Sequence, residues 1–356
     1  MVEMNLSQVP NKTTGNGIKV FSYLCFIISY YLIFLHFEVA LAQQPESKPL
    51  AGFTVESMIP DNQLDKNQTY FYLGVQPSSQ QIVQVKIRSL QKEPVTVALS
   101  IHDAINGTEG QIDYTQTNPK LDSSLTNSIT QIVHLQNKGA TVTVKNFEEK
   151  IVNYEIRTPK EPFSGVKLGA LRFVKQLEDE SLTTNQFTST YAYTISIMLT
   201  EDKQPFDEGA ELKLKKVDTT ISGGLPVVQA TFQNRQPKVM KGATITNWLT
   251  KKDQPKELLK KVQADVSVAP NSLLAMDLPL NEVVLPAGTY TVHSQVSVGN
   301  QEWQWRKDFM LTQTQIKQWS ASTASAKKQP LLLIGLSALC LVTISVYFYF
   351  RKSRTK

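Results

Sequence analysis

The sequence predicts a mainly β protein in two tandem blocks with one membrane-spanning helix near its C-terminus. Three observations predict it. Short runs of alternating apolar and polar residues recur through the middle of the chain, cut by Asn, Gly, Pro and Asp clusters. The 356 residues are enough for about two domains. The uncharged apolar run LLLIGLSALCLVTISVYFYF fills 331–350. Many short strands in two blocks, without long amphipathic helices, point to tandem immunoglobulin-like β-sandwiches.

Taken from the N-terminus, Val20 to Phe37 is apolar and preceded by Lys19. Ala40-Leu41-Ala42 then supplies the small residues that a signal peptidase requires, so 1–42 reads as a cleaved signal peptide. An uncleaved anchor is the alternative, because 18 apolar residues just span. Residues 43–50 are a loose, Pro-containing linker.

The first sandwich is assigned to 51–200. Ile82 to Ile87 puts Val83, Val85 and Ile87 on one strand face, and Val95 to Ile101 puts Val95, Val97, Leu99 and Ile101 on one face. Thr141 to Val144 and Tyr191 to Ile197 alternate likewise. Residues 201–210, EDKQPFDEGA, are charged and aperiodic, and read as a linker. The second sandwich is assigned to 211–318, with Val262 to Val268 as one strand and Lys256 to Val262 fitting a helical turn or two. Residues 319–330 are small and polar, a short stalk.

The 20 residues of 331–350 rise about 30 Å as a helix, the hydrocarbon thickness of a bilayer. Arg351, Lys352, Arg354 and Lys356 follow at once, so 351–356 is expected in the cytoplasm and 43–330 outside. This tail holds most of the formal net charge of +6. Residues 43–329 carry only +2, which argues against nucleic acid as a partner. Both cysteines, Cys25 and Cys340, lie in the apolar runs, so the exported part is expected to fold without disulfides, as suits a Gram-positive surface protein. Asn67 and Asn106 head glycosylation sequons, which matter only in a eukaryotic host.

Catalytic patterns are missing. There is no G-x-S-x-G, H-E-x-x-H, Walker loop or G-x-G-x-x-G. His102 and Asp103 are neighbours on a strand and face opposite ways. Asp61 and Asp65 sit in an Asn/Gln-rich stretch that reads as a solvated loop, and His134 and His293 stand alone. No cofactor and no metal are implied. The residues describe an anchored binding protein.

The segments FTVESMIPDNQ, TYFYLGVQP, NGTEGQIDY and RTPKEPFSGVKLGALRF follow one another between Phe53 and Phe173, and YAYTISIML comes after them. In this order they resemble the N-terminal domain of the WxL-interacting proteins of Gram-positive bacteria. ATFQNRQPKVMKGATI, VQADVSVAPNSLLAMDLPL and LPAGTYTVHSQVSVGNQEWQWRKDF resemble the second domain of that family. The resemblance covers about 51–318. It implies peptidoglycan binding by the first domain and host binding by the second, with WxL-type surface proteins and host extracellular proteins as partners. Two departures stand out: Tyr72 lies where the family usually has an acidic residue, and Ser78-Ser79 follow Pro77 where a Gly is common. Trp248, Trp303, Trp305 and Trp319 are never followed by x-Leu, so the chain is the partner type, not a WxL protein.

Peptidoglycan offers sugar rings, hydroxyls and N-acetyl groups, which aromatic faces and amides can engage. Asn62, Gln63, Tyr70 and Tyr72 bring those types together, with Tyr70 and Tyr72 on one strand face and Phe71 toward the core. In the second domain Trp303 and Trp305 share a face and are the partner-binding candidates, core burial being the alternative. Lys251, Lys252, Lys256, Lys260 and Lys261 form a basic cluster, most simply a solvated face. The resulting reading is a membrane-anchored adhesin or scaffold on the cell surface. The alternatives are a wall hydrolase and an accessory subunit of an envelope sensor or transporter.

Overall fold

The computed structural model describes residues 51–137, 139–176, 191–280 and 285–319. The expected signal peptide, the 43–50 linker, the stalk beyond Trp319, the 331–350 segment and the basic tail lie outside the described residues. Among the described residues no helix is long and apolar enough to cross a membrane. The protein is mainly β.

The first half contains β1 (Phe53–Met58), β2 (Phe71–Gly74), β3 (Gln80–Ser89), β4 (Val95–Asp103), β5 (Ile105–Asn106) and β6 (Ile112–Asp113). A one-turn helix, α1 (Ile129–Ile132), leads into β7 (Val133–Leu135), β8 (Thr141–Val144), β9 (Glu149–Arg157), β10 (Val166–Lys175) and β11 (Ala192–Thr200). One sheet runs β1-β3-β9-β7 and the other β2-β11-β10-β4-β8. The pairs are antiparallel except β2, which runs parallel to residues 197–200 of β11. Aromatic edges join the two sheets: Phe53 meets Tyr193 at 5.2 Å and Tyr154 meets Phe173 at 6.4 Å. Val83, Val85 and Ile87 are buried as their alternation requires, and so are Val95, Val97 and Leu99.

At the end of β4 the alternation breaks. His102 and Asp103 are both buried. Asp103 accepts hydrogen bonds from Ser128 Oγ, Thr130 Oγ1 and Thr130 N, which fasten the start of α1. The His102 ring, on the other side, bonds to Ser100 Oγ and Gln116 O, each at 2.8 Å. These two residues hold loops to a strand end.

The second half contains β12 (Leu212–Ser222), β13 (Leu225–Asn234), β14 (Met240–Lys251), β15 (Glu257–Val268), β16 (Ser272–Pro279), β17 (Gly288–Val298) and β18 (Gln301–Leu311), and helix continues over 313–319. Its sheets, β12-β13-β16 and β15-β14-β17-β18, share one apolar core that includes Phe232, Ile245, Leu249, Leu274 and Tyr290. Of Lys256 to Val262, the residues from Glu257 on are strand, not helix. The β14–β15 register shifts opposite Leu249 and Thr250, and both Leu258 and Leu259 pack on the core. A bulge puts two successive residues on one side. In sequence that adjacency imitates a helical face.

Named contacts join the two sandwiches. Asn106 Nδ2 donates to Ser272 Oγ at 2.7 Å and Leu273 O at 2.9 Å, and Asn106 Oδ1 accepts from Ala269 N at 2.8 Å. All of the amide's bonding capacity used here goes to the other sandwich, so Asn106 reads as a structural pin and not as a sugar acceptor. Asp122 accepts two bonds from Gln233 Nε2, at 2.9 and 2.8 Å. Burial raises the Asp122 pKa, but bonds from Ser124 and Gln233 and the Lys215 charge outweigh it and hold the carboxyl below its ordinary range. Ala104, Val166, Leu168 and Met198 of the first half meet Val239 and Ala269 of the second in a small apolar cluster.

Gly165 shows how tight this contact is. It has φ +67, its N–H goes to Asp202, and a Cβ there would lie 2.2 Å from Pro237 O. Gly209 has a similar φ of +82, but a Cβ there meets nothing within 4 Å. Gly209→Ala should therefore cost only the backbone penalty of about 1–2 kcal/mol. Gly165→Ala should cost about 2 kcal/mol more, because a backbone oxygen has to move. Urea unfolding of the two variants measures the difference, and equal losses would show that the sandwiches are not in close contact at this point.

Candidate functional site

The loop from Ile59 to Tyr70 is organised by Gln63, which is 5% exposed. Its Nε2 donates to Asp65 O and Tyr70 O, both at 2.9 Å, and its Oε1 accepts from Tyr72 N at 3.0 Å. The side chain thus supplies the pairing that a neighbouring strand would otherwise give to a looped backbone. Asn62 Nδ2 donates to Gly74 O at 2.9 Å and to Gln81 Oε1 at 2.8 Å. Asp65 accepts from Gln68 Nε2 and Asn67 N, and these bonds, the Gln68 one first, lower its pKa. Ser57 Oγ donates to Thr69 O and ties the loop to β1. Ser78, in the following turn, takes φ 56, the left-handed conformation that favours glycine.

A groove of about 600 Å³ lies between this loop, β1 and the first residues of β11. Its walls include Ser57, Asn67, Gln68, Tyr70, Thr194 and Ser196. β1 is the edge of its sheet, and β2 pairs with β11 only from Ile197 onward, so both strands border the groove with edges unpaired among the described residues. Burial, then Asp65 and Asp207, raises the Tyr70 pKa, so the phenol stays a hydrogen-bond donor at neutral pH. Most of the lining residues carry a hydroxyl or an amide, beside the apolar Val55, Ile59 and Ile195, and Glu56 and Lys66 are its charges. Such a lining fits a ligand rich in neutral hydroxyl and amide groups.

The four residues singled out in this region separate into two sets. Phe71 is fully buried, and Tyr70 and Tyr72 lie on the opposite face as the strand period requires. Of the four, only Tyr70 lines the groove. Tyr72 turns toward the segment between the sandwiches, where its ring meets Phe206 edge-on at 5.4 Å, with Lys241 Nζ of β14 over the Phe206 ring at 4.0 Å. Asn62 and Gln63 have their amides committed to the loop. The groove also takes Tyr193, Thr194 and Ser196, which lie more than a hundred residues away in the chain. The alternation in YAYTISI shows their strand, but no local signal places it beside Tyr70.

Trp303 and Trp305 need a correction as an exposed pair. On β18 they share the inner face with Phe309 and Leu311, and both pack against the core of the second sandwich. Trp305 meets Phe232 edge-on at 5.9 Å. The tryptophan on the outer face is Trp248 of β14, stacked on His293 of β17 at 5.0 Å with an interplanar angle of 8°. Among the described residues no group of His, Cys, Asp and Glu is placed to hold a metal ion.

Comparison with known families matches residues 53–175 to the peptidoglycan-binding domain of the WxL Interacting Protein and residues 183–321 to its host-binding domain. The two matches, in this order, take in well over half of the chain. The chain belongs to the WxL-interacting protein family. The second family match begins at 183, yet β11 hydrogen-bonds within the first sandwich, so the change of family domain and the change of sheet do not coincide. No curated protein gives a match.

Solved structures with similarity include a chaperone–tip adhesin complex of CFA/I fimbriae biogenesis, 10% identical over 73% of this chain and 98% of that one, TM-score 0.29. The CupB2 chaperone of Pseudomonas aeruginosa is 14% identical over 67% and 97%, TM-score 0.28. The E. coli chaperone DraB is 13% identical over 73% and 98%, TM-score 0.27. Scores this low carry no weight for function.

The placement of the tryptophans predicts unequal costs. Trp305→Ala removes a half-buried core ring and should lower stability by about 2 kcal/mol. Trp248→Ala, on the solvent face, should change it by only about 0.5 kcal/mol. Urea denaturation of both variants tests this, and the reverse order would put Trp248 in the core.

Proposed function

We propose that this family member is a cell-surface binding protein whose first sandwich engages peptidoglycan through the groove beside Tyr70. The groove itself is the observation that carries the reading. It gathers hydroxyls, amides and a protonated phenol, and it lies in the half that matches the family's peptidoglycan-binding domain. A sugar's apolar face would rest against Tyr70, and its N-acetyl and hydroxyl groups would pair with Ser57, Asn67, Gln68 and Thr194. Each contact is modest. Repetition of the wall polymer and many copies of the protein supply avidity.

In the same proposal the leader directs export, the 331–350 segment spans the membrane, and 351–356 stays in the cytoplasm, with 43–330 outside. The second sandwich faces outward and binds WxL-type surface proteins or host extracellular proteins, as its family domain's name suggests. No turnover is involved. The work is binding and display.

Sedimentation of the purified full-length chain with insoluble peptidoglycan tests the wall contact. The wild type should pellet, and Tyr70→Ala should weaken retention about ten-fold, the equivalent of about 1.4 kcal/mol. A wild-type chain that stays in the supernatant, or a Tyr70→Ala chain that pellets like the wild type, contradicts the proposal.

A further inference from the structure

We propose that the outer face of the β15-β14-β17-β18 sheet holds a site for an anionic saccharide, centred on Trp248, His293 and Arg306. The inference rests on the reading of the second sandwich as a binding domain and gives that domain a ligand class.

Strand register places Lys260, Trp248, His293 and Arg306 in one row, each on a different strand and each directly opposite the next. The two rings at the centre stack with almost parallel planes, and a cation flanks them on either side. The rows two residues away on the same face hold Thr246, Gln295 and Gln304 with the exposed Val262 on one side, and Thr250, Thr291 and Asp308 with Glu257 on the other. The core of the sandwich is filled from the opposite face, so folding does not account for a tryptophan here.

An open groove of about 950 Å³ runs along this face, lined by Trp248, Thr250, Lys252, Thr291, His293 and Arg306 among others. Two carboxylates line it, at the end near Lys252: Asp308 pairs with Lys252 at 2.9 Å and accepts from Thr291 Oγ1 at 2.7 Å, and Asp253 adds its charge beside Lys252. Arg306 and Lys260 form no ion pair among the described residues. His293 Nε2 is 3.1 Å from Thr250 Oγ1, which fixes the ring beside Trp248. Burial, then the Arg306 charge, lowers the His293 pKa, so the ring stacks in its neutral form at pH 7.

These features select the ligand. An aromatic wall suits the apolar face of a sugar ring, and Thr246 and Gln295 of the neighbouring row suit sugar hydroxyls, the buried Thr250 and Thr291 being bonded to His293 and Asp308. A neutral sugar would leave the two flanking cations without a function. A carboxylate or sulfate on the sugar pairs with Arg306, whose planar guanidinium matches such groups through two parallel hydrogen bonds. An acidic peptide would use the cations but not the stacked rings.

Calorimetric titration of the full-length chain tests this, using a heparin-derived hexasaccharide, a hyaluronan hexasaccharide, neutral maltohexaose and a glutamate hexapeptide. At least one anionic hexasaccharide should bind saturably, and about ten-fold more tightly than maltohexaose or the peptide. Arg306→Gln and Trp248→Ala should each weaken that binding about ten-fold with the thermal melt unchanged, and Trp248→Phe should retain most of it. The proposal is overturned if neither anionic hexasaccharide binds, if Arg306→Gln binds as the wild type does, or if the peptide binds as tightly as the saccharides. Retention of the same proteins on immobilised host extracellular matrix separates the two levels. If the wild type is retained while no saccharide binds, this site falls and the binding-domain reading stands. If a saccharide binds at the site while the matrix retains nothing, the site stands and the host-binding reading falls.

Discussion

Asn106 is one side chain in the first sandwich whose amide makes three hydrogen bonds to the second. Ser272 and Ala269 are buried, while the bond to Leu273 O is exposed, so losing the amide would strand the buried Ala269 N–H at about 1–3 kcal/mol. The contact works because the surrounding surfaces fit. The apolar cluster around Val166, Met198, Val239 and Ala269 excludes water, and Gly165 lets the two backbones touch where Val166 N donates to Pro237 O at 2.8 Å. Ser267 N adds a bond to Gly110 O, also at 2.8 Å. The segment between the sandwiches is held as well, through Phe206 under Lys241 and Lys241 bonded to Asp207 at 3.1 Å. What the sequence presents as a charged, aperiodic linker is packed in place.

This constraint gives the two grooves their meaning. Each is formed within one sandwich, the first against β1 and β11 and the second on the outer sheet of the other half. Tyr70 belongs to both the first groove and the interface, since it lines the groove and packs, with Tyr72, on the apolar cluster between the sandwiches. A rigid joint between the sandwiches lets a contact on one be held at a set distance and direction from a contact on the other. Under the proposed binding role this would lower the ordering cost of holding two partners at once.

Strand parity was legible in the sequence; sidedness was legible only in part. Val83, Val85 and Ile87, and Phe71 against Tyr70 and Tyr72, fall where period-2 alternation puts them. Trp303 and Trp305 also have the predicted common face, but that face is the core. The clue is in the same run: in WQWRKDFML, Phe309 and Leu311 share the parity of the two tryptophans, while Arg306 and Asp308 take the other. Trp248 carries no such clue, because Ile245, Asn247 and Leu249 turn inward around it, and the buried Asn247 breaks the apolar series. The structural roles of Gln63 and Asn106 are hidden in the sequence for a shared reason. A buried amide that replaces backbone pairing, or pins two domains, has the same local sequence as an exposed one. Its role depends on partners from distant segments, up to 167 residues away for Asn106. The groove beside Tyr70 was half legible, since its second wall comes from β11.

The central claim is that the sandwiches form one rigid body through the Asn106 contact. Pulsed electron–electron resonance measures it most directly. One spin label would replace Ile151 on β9 and the other Gln304 on β18, with Cys25 and Cys340 changed to Ser. A single narrow distance distribution is expected, and Asn106→Ala should broaden it. A broad distribution with Asn106 intact would contradict the claim.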